Sequence, residues 1–335
     1  MKKFLSIIMI VALLCCILVG CGETAEGIEV VRVNEVTHSI FYAPFYLAIE
    51  LGYFEEEGIE IELTNGGGSN VSMTAVVSGG ADIGLVGPET VVYVESQGKT
   101  DYVVTFAQLT YCDGSFLVGY EEAEDFDYSN LVGTEVLAGR LGGLPSMTLE
   151  YVLNQHGLYD GVNITLNHDV EFALMAAAFE SGTGDYTTMF EPTASDYDLS
   201  DRGNIVASIG EDSGSVPYTC FVAELSYLEE NEELCEGFVR AIYKALAFMD
   251  ENDASVVATY LAPQFEGTSE QQIENAVNSY LAIGAWQNDM SMTEDSWERL
   301  IDIMENANQF EEGTDANYDK LVDNTISEKI KAELN

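Results

Sequence analysis

Residues 71–89 read VSMTAVVSGGADIGLVGPE, and residues 171–192 read EFALMAAAFESGTGDYTTMFEP. Both stretches run in the same order. A helix-spaced apolar segment leads into a small-residue break, Ser78-Gly79-Gly80-Ala81-Asp82 in one and Ser181-Gly182-Thr183-Gly184-Asp185 in the other. A short apolar strand follows, and then Gly87-Pro88-Glu89 or Glu191-Pro192. Helices alternating with buried strands point to an α/β fold with mostly parallel sheets. Two such echoes predict two equivalent α/β lobes.

The flanking sequence extends the pattern. Residues 28–36 and 59–63 alternate apolar and polar, which predicts strands. Residues 44–51 predict a helix with Gly52 just past its end. Gly66-Gly67-Gly68-Ser69-Asn70 opens the helix 71–77. Further on, 135–138 predicts a strand and 139–144 a loop. Pro145 then stands near the start of a helix that Gly157 ends, with proline inside the start and glycine past the end. After Cys220 the pattern turns helical. Over 232–249, Leu234, Phe238, Ile242, Ala245 and Phe248 share one face, and further helices are predicted over 254–261, 269–283, 294–307 and 318–332. The chain is expected to leave lobe one near Tyr111-Cys112 and to return near Tyr218-Cys220. Lobe one is then 28–112 plus 218–335, and lobe two is 113–217.

The N-terminus is of another kind. Met1-Lys2-Lys3, an apolar run over 4–18 and a small residue before Cys21 read as a secretory signal peptide, 1–20. The run is too short for a spanning helix. Leu18-Val19-Gly20-Cys21 resembles the lipobox of bacterial lipoproteins, which implies acylation of Cys21, with 21–27 as a tether holding the body outside the cytoplasmic membrane.

Fifty-eight acidic residues face 12 basic ones, a net charge of −46, and loss of Lys2 and Lys3 with the leader makes it −48. Nucleic acid and anionic lipid head groups, both polyanions, are poor partners for such a body. A hydrophobic content of 47% with 10% aromatics supports packed cores. Of six cysteines, only Cys21, Cys112, Cys220 and Cys235 follow the leader. Cys112 and Cys220 fall at the two lobe crossings, so a disulfide between them stays open. His38, His156 and His168 are far apart, and no spacing marks a metal site, a phosphate loop or a nucleophile elbow. No cofactor is expected.

The segments HSIFYAPFYLAIELGYFEEEGIEIEL (38–63), GGGSNVSMTAVVSGGADIGLVGPE (66–89), GRLGGLPSMTLEYVLNQHGL (139–158) and GDYTTMFEPTAS (184–195) resemble, in order, the solute-binding proteins of ABC importers. Within these they are similar to the group that takes nitrate, sulfonates, taurine and thiamine pyrimidine precursors. The resemblance spans residues 28–250. It implies a two-lobed type II periplasmic-binding-protein fold, each lobe a mostly parallel sheet flanked by helices, with the helical C-terminal region on lobe one. It implies a non-enzymatic monomer that binds a small molecule between the lobes and hands it to membrane permease subunits.

In open α/β sheets ligands sit in the crevice at the carboxyl ends of strands. That rule selects 37–42, 65–70, 87–89, 139–145 and 190–192. His38 and Tyr42 follow the first strand; His38 could equally be structural. Gly67, Gly68, Ser69 and Asn70 combine a glycine turn with a helix N-terminus, or form a plain turn. Pro88 and Glu89 end the first echo. Arg140, Gly143 and Leu144 lie in a lobe-two loop, where Arg140 could also be a surface residue. Phe190 and Glu191 end the second echo; Glu191 could fork hydrogen bonds to an aminopyrimidine or cap the next segment. Asp113 and Tyr218 stand at the crossings. The run 121–125 reads as a solvated turn. With few basic residues and several carboxylates near the crevice, the expected ligand is a neutral or weakly cationic aromatic heterocycle, such as a thiamine-precursor pyrimidine. A sulfonate, taurine or nitrate is the alternative. An extracytoplasmic enzyme or a sensory co-receptor on the same fold is the other class.

Overall fold

The computed structural model describes residues 27–98, 101–121, 126–310 and 314–334. The leader, Cys21 and residues 22–26 lie outside the described residues, as does most of the acidic run, 122–125.

Two five-stranded sheets carry the fold. In the first, β1 (Glu29–Glu35), β2 (Ile59–Asn65) and β3 (Ile83–Val86) are parallel, and β10 (Thr219–Glu224) runs antiparallel between β3 and β4 (Val103–Thr110), giving the order β2-β1-β3-β10-β4. The second has the order β7-β6-β8-β5-β9, from β5 (Ser115–Gly119), β6 (Glu135–Leu137), β7 (Thr165–Asn167), β8 (Tyr186–Phe190) and β9 (Asn204–Ser208). Here β5 is the antiparallel member, between β8 and β9. The two orders match position by position, with β3 equivalent to β8.

That equivalence explains the sequence echo. Asp82 donates its backbone N–H to Arg32 O at 2.8 Å, and its carboxylate accepts from Arg32 N at 2.9 Å. Asp185 donates to Glu135 O at 2.7 Å and accepts from Glu135 N at 2.9 Å. Each aspartate thus staples the entry of one strand onto its parallel neighbour, β3 onto β1 and β8 onto β6. Asp82 has an addition, a paired contact with the Arg32 guanidinium.

The local elements follow their sequence signals. Helix Ala43–Glu50 has Pro44 in its first turn, and Gly52 beyond its end takes the left-handed conformation at φ 73°. Helix Leu144–Gln155 carries Pro145 in its first turn and is closed by Gly157 at φ 75°. Helix Glu232–Glu251 buries Phe238, Ile242 and Ala245, while Leu234 and Phe248 are only partly buried at its margins. Phe238 packs in a ring cluster with Phe54, Phe221 and Phe45 at 5.1–6.2 Å. Burying one such side chain stabilises by about 1.5–3 kcal/mol.

The chain crosses between the sheets twice, and the crossings run side by side. Val216 N donates to Tyr111 O at 3.0 Å, and Tyr218 N donates to Thr110 O at 3.2 Å. Cys112, Cys220 and Cys235 are all free and buried, so no Cys112–Cys220 bridge forms.

One expectation needs correction. The C-terminal helix expected over 318–332 is two helices, Tyr318–Leu321 and Thr325–Leu334. Val322 between them bridges to Thr105 of β4, and Asp323 N donates to Thr105 O at 2.8 Å, so strand-like pairing to the sheet edge overrides helix propensity. The C-terminal helices also reach beyond lobe one. Helix Glu294–Asn306 meets lobe two through Asn154 Nδ2, which donates to Asn306 Oδ1 at 2.7 Å. From helix Glu270–Ala282, Gln272 Nε2 donates to the Asp196 carboxylate at 2.7 and 2.9 Å.

Candidate functional site

Where the lobes face each other, a buried polar cluster replaces apolar core. Glu89, Asp113 and Glu191 are 1%, 0% and 3% exposed, and Tyr42, Tyr218 and Tyr280 accompany them in burial. The carboxyls and hydroxyls lie within one another's fields: Tyr218 responds to Asp113 and Glu89, and Tyr280 to Glu191 and Asp113. Aromatic rings line the same region. Phe41 has Tyr280 at 4.8 Å and both Phe190 and Tyr218 at 5.9 Å. Phe172 adds its ring 5.5 Å from Phe190. Trp286 lies 5.6 Å from Tyr280, with its Nε1–H donating to Phe41 O at 3.0 Å.

Glu89 is positioned from both lobes. It begins helix Glu89–Ser96, and its side chain folds back over Gly87, where a Cβ would come within 2.0 Å of Oε2. Only glycine leaves room for that carboxyl. Burial pushes Glu89 up to about 7, opposed by its own backbone N–H, by Arg140 and by the N–H of Leu144, the first residue of the lobe-two helix. One helical turn on, the Tyr93 hydroxyl donates to Gly142 O at 3.2 Å and so ties the same helix to that loop.

Asp113 sits at the first crossing. Oδ1 accepts from Ser115 N at 2.6 Å. Burial pushes the carboxyl up to about 6 against hydrogen bonds from Ser115 and from the Tyr218 hydroxyl. Glu89 Oε2, Asp113 Oδ2 and the Tyr218 hydroxyl are buried and meet no hydrogen-bond partner of good geometry. Buried polar atoms are nearly always paired; Asp113 and the Tyr218 hydroxyl lie close enough to act on each other, which leaves Glu89 Oε2 as the atom a bound molecule would satisfy.

Glu191 differs. Its two oxygens accept from Ser195 N at 3.0 Å and Ser195 Oγ at 2.7 Å, so it caps helix Thr193–Leu199, the structural alternative raised for it. Its backbone N–H donates to the Tyr280 hydroxyl at 3.0 Å.

The other candidate residues divide. Tyr42, Pro88, Leu144, Phe190 and Tyr218 join the buried zone, with Phe190 and Gly143 half-exposed at its margin. Arg140 is exposed. Gly67, Gly68, Ser69 and Asn70 are exposed or half-buried, because the sheet order puts β2 at an edge. His38 is held structurally: Nδ1 meets Glu35 Oε1 and Nε2 meets Gln264 O, both at 2.9 Å, with Tyr46 and Phe265 against the ring. The Glu35 bond raises the imidazole's pKa. The sequence reading missed Phe41, Tyr280 and Trp286. Phe41 fell inside a selected segment; Tyr280 arrives on a helix that the strand-end rule does not reach, and Trp286 just beyond it.

Residues 39–255 match the family described as NMT1/THI5 like. Over 328 residues the chain is 41% identical to the Bacillus subtilis (strain 168) protein described as "Putative binding protein YtlA", covering 98% of this chain and 96% of that one. The chain belongs to the NMT1/THI5-like family. Solved structures share the fold. The alkanesulfonate-binding protein SsuA from Xanthomonas axonopodis pv. citri, bound to MOPS, superposes with a TM-score of 0.72 at 16% identity, covering 89% of this chain and 99% of that one. The periplasmic nitrate-binding protein NrtA from Synechocystis PCC 6803 superposes with a TM-score of 0.70 at 14% identity, covering 92% and 89%. The fold is that of the periplasmic binding proteins.

Proposed function

We propose that the chain is the extracytoplasmic solute receptor of an ABC importer. It is anchored by an acylated Cys21, takes one small molecule between lobes 28–112 plus 218–335 and 113–217, and presents it as a monomer to permease subunits. The observation that supports this reading is the inter-lobe cluster, in which Glu89 Oε2 is buried without a partner and Asp113 and Tyr218 face each other, beside the rings of Phe41, Phe190 and Tyr280. No group in that cluster is set up as a nucleophile. The thiols of Cys112 and Cys220 are pushed up by burial, the opposite of activation. Lobe closure about the paired crossings is the expected motion.

The ligand we favour is a small aromatic heterocycle, such as a thiamine-precursor pyrimidine, rather than a sulfonate, taurine or nitrate. Flat rings suit the aromatic lining. An anion would face two buried carboxyls, with the exposed Arg140 already in the field of Glu89, which is repulsive in a desolvated site. A thermal-shift screen of aminopyrimidines against alkanesulfonates, taurine and nitrate tests this. A ligand at one hundred times its Kd raises stability by about 2.7 kcal/mol. Stabilisation by sulfonates alone would reverse the preference. For the anchor, a Cys21→Ser protein that still fractionates with membranes would refute acylation.

A further inference from the structure

His38 follows the end of β1, and both nitrogens of its ring meet acceptors. Nδ1 faces Glu35 Oε1 and Nε2 faces the carbonyl oxygen of Gln264, each at 2.9 Å. A carbonyl can only accept, so that contact needs a hydrogen on Nε2. The other oxygen of Glu35 accepts from the Tyr46 hydroxyl, which burial and the neighbouring Glu35 keep protonated. The contact at Nδ1 therefore needs a hydrogen of its own. Whether that hydrogen sits on the ring or on the carboxyl, the pair holds one proton more than a carboxylate beside a neutral imidazole. The Glu35 hydrogen bond raises the imidazole's pKa from its ordinary 6.5, and burial opposes it. Glu35 and Tyr46 are the titratable groups against the ring, Phe265 packs on it at 4.9 Å, and Glu50 holds the Gln264 side chain. Gln264 ends the short helix Ala262–Gln264, and the chain runs on into helix Glu270–Ala282. That helix reaches lobe two through Gln272 on Asp196 and Tyr280 on the Glu191 N–H.

We propose that Glu35 and His38 form a proton-operated latch, which with its extra proton fastens Gln264 to the end of β1, and without it releases Gln264 and loosens the helix that reaches across to lobe two. When the proton leaves, one ring hydrogen remains. It stays on Nδ1, because a buried carboxylate attracts it more strongly than a neutral carbonyl attracts the hydrogen on Nε2. Nε2 then turns a lone pair toward Gln264 O, and two acceptors face each other. The sign follows from the raised imidazole. The latch is fastened below 6.5 and opens as the pH rises through the higher value of the folded protein. The ring is one-third exposed while the Glu35 side chain is 2% exposed, so the proton can exchange with solvent through the histidine.

The test uses the mature protein without ligand. NMR follows its three histidines from about pH 5.5 to about pH 9, and His38→Ala assigns the His38 signal. Hydrogen exchange over 262–283, corrected for the intrinsic effect of pH on exchange, reads the latch. His38 is expected to titrate above 6.5, and exchange over 262–283 to quicken about ten- to hundred-fold along the same curve. Glu35→Gln should hold the latch fastened at every pH, because the amide oxygen accepts from Tyr46 and the amide N–H donates to a neutral Nδ1. His38→Ala should leave it open at every pH. The wild-type titration and exchange do not depend on either variant folding well. Titration of His38 at or below 6.5 overturns the inference, and so does exchange that does not follow that titration. A pH step that survives in His38→Ala also overturns it and assigns the step to other groups, Glu89 and Asp113 first among them.

Discussion

The hydroxyl of Tyr280, on a C-terminal helix, accepts a hydrogen bond at 3.0 Å from the backbone N–H of Glu191, just past the end of β8 in lobe two. The bond is fully buried and spans the cleft. Tyr280 also lies 4.8 Å from Phe41 of lobe one, so one side chain touches both halves. Tyr280→Phe keeps the ring and removes the acceptor, leaving a buried N–H unpaired. The expected cost is about 1–3 kcal/mol in urea unfolding, with a larger radius of gyration by small-angle scattering. Unchanged stability and scattering would mean the contact is incidental.

The buried carboxyls predict an acid-side optimum for the ligand-free protein. Glu89 is raised to about 7 and Asp113 to about 6 by burial, from ordinary values of 4.5 and 3.8. Between the ordinary and the raised values the folded state holds protons that the unfolded state has released, so stability falls as pH rises from about 4 to 7. The two groups together should contribute on the order of a few kcal/mol to that fall. Glu89→Gln and Asp113→Asn should each flatten the profile measured by urea midpoints. A profile that rises over this range in wild type, or that neither substitution flattens, would rule out these groups as its cause.

Gly87 and Glu89 should be coupled. Gly87→Ala pushes a methyl into the Glu89 carboxyl, which must leave its place or strain the turn. The expected destabilisation is about 1–3 kcal/mol, and most of it should vanish in the Gly87→Ala, Glu89→Ala double variant. A double-mutant cycle reads the coupling directly. Additive costs would show that the carboxyl is not what fills that space.

The two aspartate staples should behave alike. Asp82→Ala and Asp185→Ala each strip a carboxylate from a strand N–H, at an expected cost of about 1–3 kcal/mol. Hydrogen exchange should locate the loosening at Arg32 in one protein and at Glu135 in the other. Loosening confined to only one lobe would break the equivalence between β3 and β8.

Much of this fold was legible because its signals are local. The Ser-Gly-rich break and Asp before β3 and β8 mark one recurring device, and Pro145 with Gly157 brackets a helix whose ends were read within two residues. What stayed hidden depends on strand order and on partners distant in sequence. Gly67 to Asn70 looks like a binding loop in sequence, but only the pairing order shows that β2 is an edge strand. Glu191 is equally fit to cap or to bind, and its bonds from Ser195 N and Oγ are visible only in three dimensions. Tyr280 and Trp286 look like ordinary core aromatics until Glu191 and Phe41 are seen beside them. The break at Val322 is invisible because its cause, Thr105, stands 217 positions earlier.

The place of β10 has a consequence for biogenesis. A chain leaving a ribosome or a translocation pore N-terminus first exposes β3 and β4 with a one-strand gap between them, and the strand that fills it is made only after all of residues 115–208. Lobe two, whose five strands are contiguous in the chain, can close its sheet first. The segment synthesised earliest therefore waits longest, with the inner edges of β3 and β4 open to foreign strands. A chaperone that guards nascent chains would find its best target in residues 29–110, and a stalled chain ending before Thr219 should aggregate where one ending after Glu224 does not.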